Sequence, residues 1–344
     1  MSGKRQHFVP RFLQEGFASH TKRGEVFTWL YRKNARPVNT NIINVGVEGF
    51  FYTDGNDTKA DDLVSAAEAS FSNLVKKLRT SSPTRVSDPQ IPELIVHLEV
   101  RTRHLRQSFL HAGDYLVSRL LEFMSNEDSF VDYLERTLRN DPSILRTSLT
   151  EELEKNGFPK AMLEPILEIS SPMLPALIEQ FKPTLHVFAK HMRSVFPKQL
   201  TKAVKSGHIK ALKKGVSPKV RIQRYKDFTY EIVDVREACL ILGDSAILFH
   251  VEGPKPYKAF VDKDDVLNAV VLPLTPSRFL IGAGECFGVS GHIWPEAIAR
   301  CSLEYFIAKE DSDANRILQG RIAEDAAPLT SAELEDIFTK VMNE

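Results

Sequence analysis

Cysteine is scarce in this sequence of 344 residues, which contains only Cys239, Cys286 and Cys301. The number is odd and no two of them have C-x-x-C spacing, which argues against a disulfide framework and against a cysteine-rich zinc site. A reducing, cytosolic location is therefore expected.

An excess of one charge and long apolar runs are also missing. Lys and Arg together number 45, as do Asp and Glu, so any binding to nucleic acid or anionic lipid must come from a local patch. No stretch approaches about 18 uninterrupted apolar residues, and the basic N-terminus lacks the apolar segment of a signal peptide. Secretion, membrane spanning and a membrane partner are not expected.

Sequence signatures for common cofactors are absent as well. The sequence has no G-x-G-x-x-G and no G-x-x-x-x-G-K-[ST], the patterns of dinucleotide and P-loop sites. The acidic run at 261–266, VDKDDV, lacks the glycine and the distal glutamate of an EF-hand loop, so it indicates a charged turn. The motifs therefore predict no cofactor and no metal.

The patterns that are present favour an α+β fold. Residues 25–32 and 45–53 are rich in aromatic and β-branched side chains and predict a small N-terminal β-element. Helical periodicity follows at 60–78 and again from Asp88 to Met124, where one helix with a bend at Gly113 is expected. Proline-separated helical pieces continue this helical middle region.

Beyond Phe228 the periodicity changes to short apolar or alternating runs, which predict a mixed or antiparallel sheet. Helices are predicted at 295–311 and 331–342, covering this sheet. We expect a single composite domain, 1–344, made of an N-terminal motif and β-element at 1–58, a helical region at 59–207 and a sheet-plus-helix region at 208–344.

The segment 208–226 is strongly basic, HIKALKKGVSPKVRIQRYK. Two interpretations remain open for it. It is either a connecting segment that leads into the sheet or a patch that binds phosphate.

A helix drawn through 94–111 carries a polar stripe beside its apolar face. The stripe contains His97, Arg101, His104, Ser108 and His111. Imidazole can act as a general acid or base near neutral pH, and guanidinium binds phosphate with two hydrogen bonds. The stripe is therefore a candidate site for phosphoryl or acyl chemistry, the alternative being a solvated or interhelical polar border.

Asp244 follows Gly243 between two apolar runs, LIL and AILFH. An aspartate at a strand end either stabilises a turn or presents its carboxylate at the rim of the sheet. Both roles remain open from the sequence.

Four separated segments resemble one family. They are QHFVPRFLQEGF at 6–17, VRTRHLR at 100–106, CLILGDSAI at 239–247 and VVLPLTPSRFLI at 270–281. In this order they resemble the bacterial domain-of-unknown-function family 4238, whose members open with a Gln-His-aromatic-Val-Pro motif. The resemblance implies that the polar motif positions fall on His7, Arg101 and Asp244.

The opening motif, KRQHFVPRFL at 4–13, is too apolar for a disordered tail. Its side chains Phe8, Val9 and Phe12 are expected to be buried, because their burial contributes on the order of a few kcal/mol. If the motif packs against the 94–111 helix and the strand end at 244, a composite site forms. Its members would be His7, Arg11, Arg101, His104 and Asp244.

These residues support the hypothesis of a bacterial metal-independent phosphodiesterase or nuclease, with bacterial defence as its setting. His7 and His104 are the acid and base candidates, and Asp244 would orient a histidine. Arg101 and Arg11 would hold phosphate. The remaining candidates for substrate binding are Gln6, His97 and His111. The alternative is a non-catalytic module that binds a nucleotide or nucleic acid through the stripe and residues 210–224.

Overall fold

The structure, a computed structural model, describes residues 5–235, 239–284, 293–326 and 331–343. It divides into two compact units, Met1–Leu110 with Ala203–Thr330, and His111–Lys202 with Ser331–Glu344. The strands of the described chain lie in the first unit, and the second unit is helical. The predicted α+β fold is confirmed.

The strands lie in three antiparallel sheets. Their bounds are β1 (Arg5–His7), β2 (His20–Lys22), β3 (Glu25–Arg32), β4 (Val38–Asn41), β5 (Val47–Gly49), β6 (Arg85–Val86), β7 (Thr229–Asp234), β8 (Leu242–Gly243), β9 (Leu248–Val251), β10 (Tyr257–Lys258), β11 (Leu267–Thr275), β12 (Arg278–Ala283) and β13 (Tyr305–Ala308). Strand β1 pairs with β5, a second sheet has the order β10-β9-β11-β12-β7-β6, and a third has the order β2-β3-β13-β8 with β4 also on β3. The inner strands β9, β11 and β12 are buried on both faces and hold much of the core.

Helices make up most of the remaining chain. Their bounds are α1 (Arg11–Gln14), α2 (Lys59–Thr80), α3 (Ile91–Val100), α4 (Arg103–Ser125), α5 (Glu127–Asn140), α6 (Pro142–Lys155), α7 (Leu163–Lys214), α8 (Lys219–Lys226), α9 (Trp294–Cys301), α10 (Asp313–Gly320) and α11 (Ser331–Asn343). Helix α2 carries acidic residues in its first turn and basic residues in its last, which favours it through the helix dipole.

The predicted continuous helix from Asp88 to Met124 is wrong. Helix α3 ends at Val100 and α4 begins at Arg103, so the break precedes the expected bend at Gly113. The two residues at the break, Arg101 and Thr102, are buried. A buried guanidinium must find hydrogen-bond partners, and this requirement overrides the helical periodicity.

Two other predictions are corrected. The predicted helix at 295–311 ends at Cys301, and Tyr305–Ala308 forms β13, whose four side chains are all buried between β3 and β8. The segment 208–226, interpreted from the sequence as a connecting segment or a phosphate-binding patch, is mostly helical, because residues 208–214 end α7 and residues 219–226 form α8. In α8, Arg221 forms an ion pair with the buried Glu99. Its side chain therefore has a structural partner.

The cysteines that the structure describes, Cys239 and Cys301, are free thiols, and Cys286 lies outside the described residues. The acidic run at 261–266 is a turn in which the Asp265 carboxylate accepts the backbone N–H of Asp262 at 2.7 Å. Within the described residues, one helical stretch, Lys160–Gln180, has the length and mean hydropathy, 1.3, of a membrane-spanning helix, and 6% of it is buried.

The N-terminal motif is packed into the first unit, as predicted. Phe8, Val9 and Phe12 are 3%, 1% and 7% exposed, and the Phe8 ring lies 5.5 Å from the ring of Phe51. The Phe8 N–H donates to the carbonyl of Gly46 at 2.8 Å. Gly46 has a φ of +62°, and a Cβ there would lie 2.9 Å from Val9 Cβ, so this close approach requires glycine.

Replacing the Phe8 ring tests this anchor. We expect Phe8→Ala to lower the free energy of unfolding by about 3–5 kcal/mol, because it leaves a cavity in the core. Urea denaturation followed by tryptophan fluorescence measures this, since both tryptophans, Trp29 and Trp294, lie in the first unit. Phe109→Ala is the control, because Phe109 is 57% exposed. Equal effects of the two variants would contradict the packing described.

A buried histidine connects α7 to the helix break. His208 Nε2 lies 2.7 Å from the carbonyl oxygen of Val100, and its Nδ1 accepts a hydrogen bond of 2.8 Å from Arg106 Nε. The Arg106 guanidinium lies over the Phe51 ring, 3.6 Å from its centre. Burial and the neighbouring guanidinium lower the pKa of His208 to about 4. The folded state therefore holds His208 neutral.

This shift predicts how stability depends on pH. A histidine whose pKa is about 4 when folded and about 6.5 when unfolded binds its proton more readily in the unfolded chain. The free energy of unfolding should therefore fall as the pH drops from about 6.5 to about 4, by up to about 3 kcal/mol from His208 alone. Denaturation at a series of pH values should show that the free energy of unfolding depends less steeply on pH in His208→Gln than in the wild type. The exposed His191 provides the control His191→Gln, which should keep the pH dependence of the wild type. If His208→Gln showed the same pH dependence as the wild type, the lowered pKa of His208 would be contradicted.

Candidate functional site

The first unit contains an open cavity of about 520 Å³. The N-terminal motif lines it together with one face of α2, Tyr52 and Arg101. Four of the predicted site residues lie on its wall: Gln6, His7, Arg11 and Arg101. The structure therefore brings the motif and Arg101, at the end of α3, to one cavity.

The ring of His7 is fixed by one of its nitrogens. Nδ1 lies 3.0 Å from the carbonyl oxygen of Val45, and a carbonyl can only accept, so we assign the ring proton to Nδ1. Nε2 then carries the lone pair, and it has no hydrogen-bond partner among the residues that the structure describes. Burial lowers the pKa of His7 to about 4, with Arg11 and Arg101 lowering it further, against the Val45 carbonyl and Glu68. The imidazole is therefore neutral at pH 7.

Arg101 lies at the break between α3 and α4, and its side chain is buried. Its guanidinium donates to the carbonyl oxygen of His7, to the Tyr52 hydroxyl at 3.1 Å and to the Glu68 carboxylate, and it lies 3.0 Å from His97 Nε2. These contacts use most of its donors. Arg101 was expected to hold phosphate, but its contacts make it a residue that positions His7.

His97 is fully buried behind Arg101 and does not line the cavity. Burial, together with the Arg101 charge, lowers the pKa of His97 well below its usual value. The ring is therefore neutral and serves as a hydrogen-bond acceptor for the guanidinium. The prediction that His97 binds substrate is therefore corrected: His97 lies behind Arg101 and accepts a hydrogen bond from its guanidinium.

Gln6 is buried on the cavity wall, and its side-chain oxygen accepts the backbone N–H of Tyr52 at 2.5 Å. Its Nε2 is also buried, yet it has no hydrogen-bond partner in the described chain. A buried amide group without an acceptor costs about 1–3 kcal/mol.

Two further guanidinium groups reach the cavity from the exposed side of the motif. Arg5 donates to the Asn44 side chain at 2.8 Å and to the Ile43 carbonyl at 3.2 Å. Neither Arg5 nor Arg11 forms an ion pair with a carboxylate in the part of the chain that the structure describes. Both cationic groups are therefore available to an anionic ligand.

His104 and Asp244 do not line this cavity, so their predicted convergence with His7 is corrected. His104 Nε2 lies 2.8 Å from the Cys301 carbonyl oxygen and 3.6 Å from Asp244 Oδ1. The Asp244 carboxylate accepts the backbone N–H groups of Leu303, Glu304 and Tyr305. Asp244 therefore holds the turn that leads from α9 into β13, which is the turn-forming alternative.

Burial lowers the pKa of His104 and raises that of Asp244. His111, the last residue of the predicted stripe, belongs to the second unit. The break in the helix explains why the stripe fails, since a continuous 100° rotation per residue no longer relates its two halves.

Tyr52 and Glu68 belong to the site, although no sequence motif pointed to them. The signal that could have indicated Glu68 is a polar stripe on α2, with members at intervals of three and four residues: Asp61, Ser65, Glu68 and Ser72. This periodicity marks one helix face, and it lies beside the apolar face that α2 buries. In the described ranges, no group of three His, Cys, Asp or Glu side chains is arranged to hold a metal ion.

The Arg101 contacts generate a stability prediction. Arg101→Met should lower the free energy of unfolding by about 3 kcal/mol or more, because it leaves the buried Nε2 of His97 unpaired and removes a donor from the His7 carbonyl, the Tyr52 hydroxyl and the Glu68 carboxylate. Its neighbour Arg103 is 27% exposed and forms ion pairs with Glu48 and Glu304, so Arg103→Met should cost about 1 kcal/mol or less. Urea denaturation followed by tryptophan fluorescence compares the two. A cost for Arg101→Met no larger than that for Arg103→Met would contradict this role.

Comparisons with known proteins place the chain in one family. No curated protein and no solved structure matches it. Residues 5–285 match the family described as protein of unknown function, DUF4238; the match covers most of the chain and includes the residues that line the cavity and Asp244. The chain therefore belongs to the DUF4238 family.

Proposed function

We propose that this protein hydrolyses phosphodiester bonds in a nucleic acid or nucleotide, at the cavity around His7. The observation that supports this most is the ring of His7, a residue that lines the cavity: its Nδ1 is held by the Val45 carbonyl at 3.0 Å, and its Nε2 has no hydrogen-bond partner among the described residues. A neutral imidazole held in one orientation is suited to react with a substrate or to move a proton.

Recognition of phosphate is assigned to the groups around this ring. Arg5 and Arg11 supply guanidinium groups, which bind phosphate oxygens with charge-assisted hydrogen bonds. Arg101 acts on the substrate only through His7, whose carbonyl oxygen it holds.

The size of the cavity favours a particular form of substrate. About 520 Å³ is within the range of small-molecule sites, which suits one nucleotide or an unpaired strand end. We therefore expect single-stranded substrates to be preferred over duplexes.

The alternative function is binding without chemistry through the stripe and residues 210–224. In that segment Arg221 pairs with Glu99 and Arg224 donates to the carbonyl oxygens of Asp262 and Asp265. These arginines stabilise the first unit, so nucleotide binding without cleavage is also assigned to the cavity.

The purified protein should cleave single-stranded RNA or DNA in a manner that depends on His7. We expect His7→Ala to reduce the rate by about 100-fold or more, measured with labelled oligonucleotides in the presence of chelator and in the presence of divalent metal. His20→Ala is the matched control, since His20 is exposed on β2 and is absent from the cavity wall.

Three results would decide between hydrolysis and binding alone. Cleavage that persists in His7→Ala would contradict the site, and no cleavage under any condition would contradict the hydrolase function. Binding of an oligonucleotide without cleavage, weakening steeply as salt rises, would instead support the binding module.

A further inference from the structure

The second unit buries few of its apolar side chains. Its described residues contribute none to the main hydrophobic core cluster, which belongs to the first unit. The buried apolar side chains described in the second unit are Leu121, Val131, Leu153, Ile178, Ala189 and Leu334. Eight large apolar side chains of this unit are exposed, and four of them lie on α7: Ile169, Met173, Val187 and Phe188.

Three of these side chains form a line along α7. Ile169 and Met173 lie about one turn apart, and Val187 follows Ile169 by 18 residues, which is about five turns at 3.6 residues per turn. We call this line the α7 apolar stripe. Its members are 66%, 52% and 66% exposed, and an exposed apolar patch of this kind marks an interaction surface.

A lipid bilayer could cover this stripe only under conditions that the chain does not meet. The stretch Lys160–Gln180 has the length and hydropathy of a membrane-spanning helix, and no second such stretch occurs in the described chain. The first unit is built from chain on both sides of it, Met1–Leu110 and Ala203–Thr330, so a single crossing would place its two parts on opposite sides of the membrane. Binding flat to an anionic surface is disfavoured as well, because the charged residues of the stretch are one lysine and three glutamates.

The charges beside the α7 apolar stripe favour a second copy of this chain. Glu168 directly precedes Ile169, and Arg193 follows Glu168 by 25 residues, or about seven turns, so these two exposed side chains lie on the same flank of α7. The midpoint between Glu168 and Arg193 lies within about three residues of the midpoint between Ile169 and Val187. A two-fold axis perpendicular to α7 at this point would reverse the partner helix, and it would bring the acidic part of one flank opposite the basic part of the other.

We propose that the protein is a homodimer in which the α7 apolar stripes of two copies pack against each other in antiparallel orientation. Ile169 packs beside Val187 of the partner subunit, and Glu168 forms an ion pair with Arg193 of the partner subunit. Each contact occurs twice, because a two-fold interface is self-complementary. The dimer removes from water the apolar side chains that each copy leaves exposed, and this burial drives the association.

Sedimentation velocity of the purified protein over a series of concentrations tests the interface. The wild type should have about twice the mass of one chain of 38.9 kDa. Ile169→Glu should be monomeric, because it places two carboxylates in the apolar contact. Ile317→Glu is the matched control, since Ile317 is 72% exposed on α10 in the first unit, and it should remain a dimer. A wild type that is monomeric at every concentration, or an Ile169→Glu variant that stays dimeric, would overturn the proposal.

An exchange of charges tests the antiparallel arrangement and separates it from an effect on folding. Glu168→Lys and Arg193→Glu should each raise the dimer Kd by about tenfold or more, because each places like charges opposite one another twice in the dimer. The double variant should return to the wild-type Kd, since opposite charges face each other again, whereas a folding defect would not be repaired in this way. A double variant that dissociates as readily as the single variants would overturn the antiparallel pairing. Flotation of the wild type with phosphatidylserine–phosphatidylcholine vesicles that is lost in Ile169→Glu would overturn the second copy as the occupant of the stripe.

Discussion

The cavity depends on the hydrogen bonds of one buried guanidinium. Arg101 joins β1 through the His7 carbonyl, the segment after β5 through Tyr52, helix α2 through Glu68 and helix α3 through His97. Removing a guanidinium from water is costly unless its donors are satisfied. Since the partners come from four separate segments, satisfying this side chain brings those segments to one point, and the cavity is the space that they leave.

The N-terminal motif divides its side chains between anchoring and the cavity. Phe8, Val9 and Phe12 fill the core, whereas His7 and Arg11 face the cavity and are only partly buried or exposed. A short strand and a one-turn helix would not hold a reacting group by themselves, because such short elements are marginal in isolation. The buried aromatic side chains supply the stability that fixes the His7 ring.

Patterns of local sequence predicted the α+β class, helix α2 and the burial of Phe8, because these depend on periodicity and apolar density. Strand β13 was predicted as a helix, since a short apolar run such as YFIA fits either structure. The break at Arg101 and the pairing of Glu68 with its guanidinium could not be predicted, because they depend on contacts between residues distant in the chain. Periodicity identifies the face that a helix buries, but it does not indicate the hydrogen bonds of a buried charge.

Asp244 influences the cavity although it does not line it. Its carboxylate, buried at some cost, is compensated by three backbone N–H groups and thereby fixes where β13 begins, at Tyr305. The Tyr305 ring lies 6.5 Å from the ring of Phe8. The residue that precedes Phe8 in the chain is His7, which lines the cavity. Asp244 thus fixes the strand against which Phe8 packs, while Arg101 holds the His7 carbonyl. Three of the four segments that carry the family resemblance, those with His7, Arg101 and Asp244, therefore act together on one side chain, because both contacts determine where the imidazole lies.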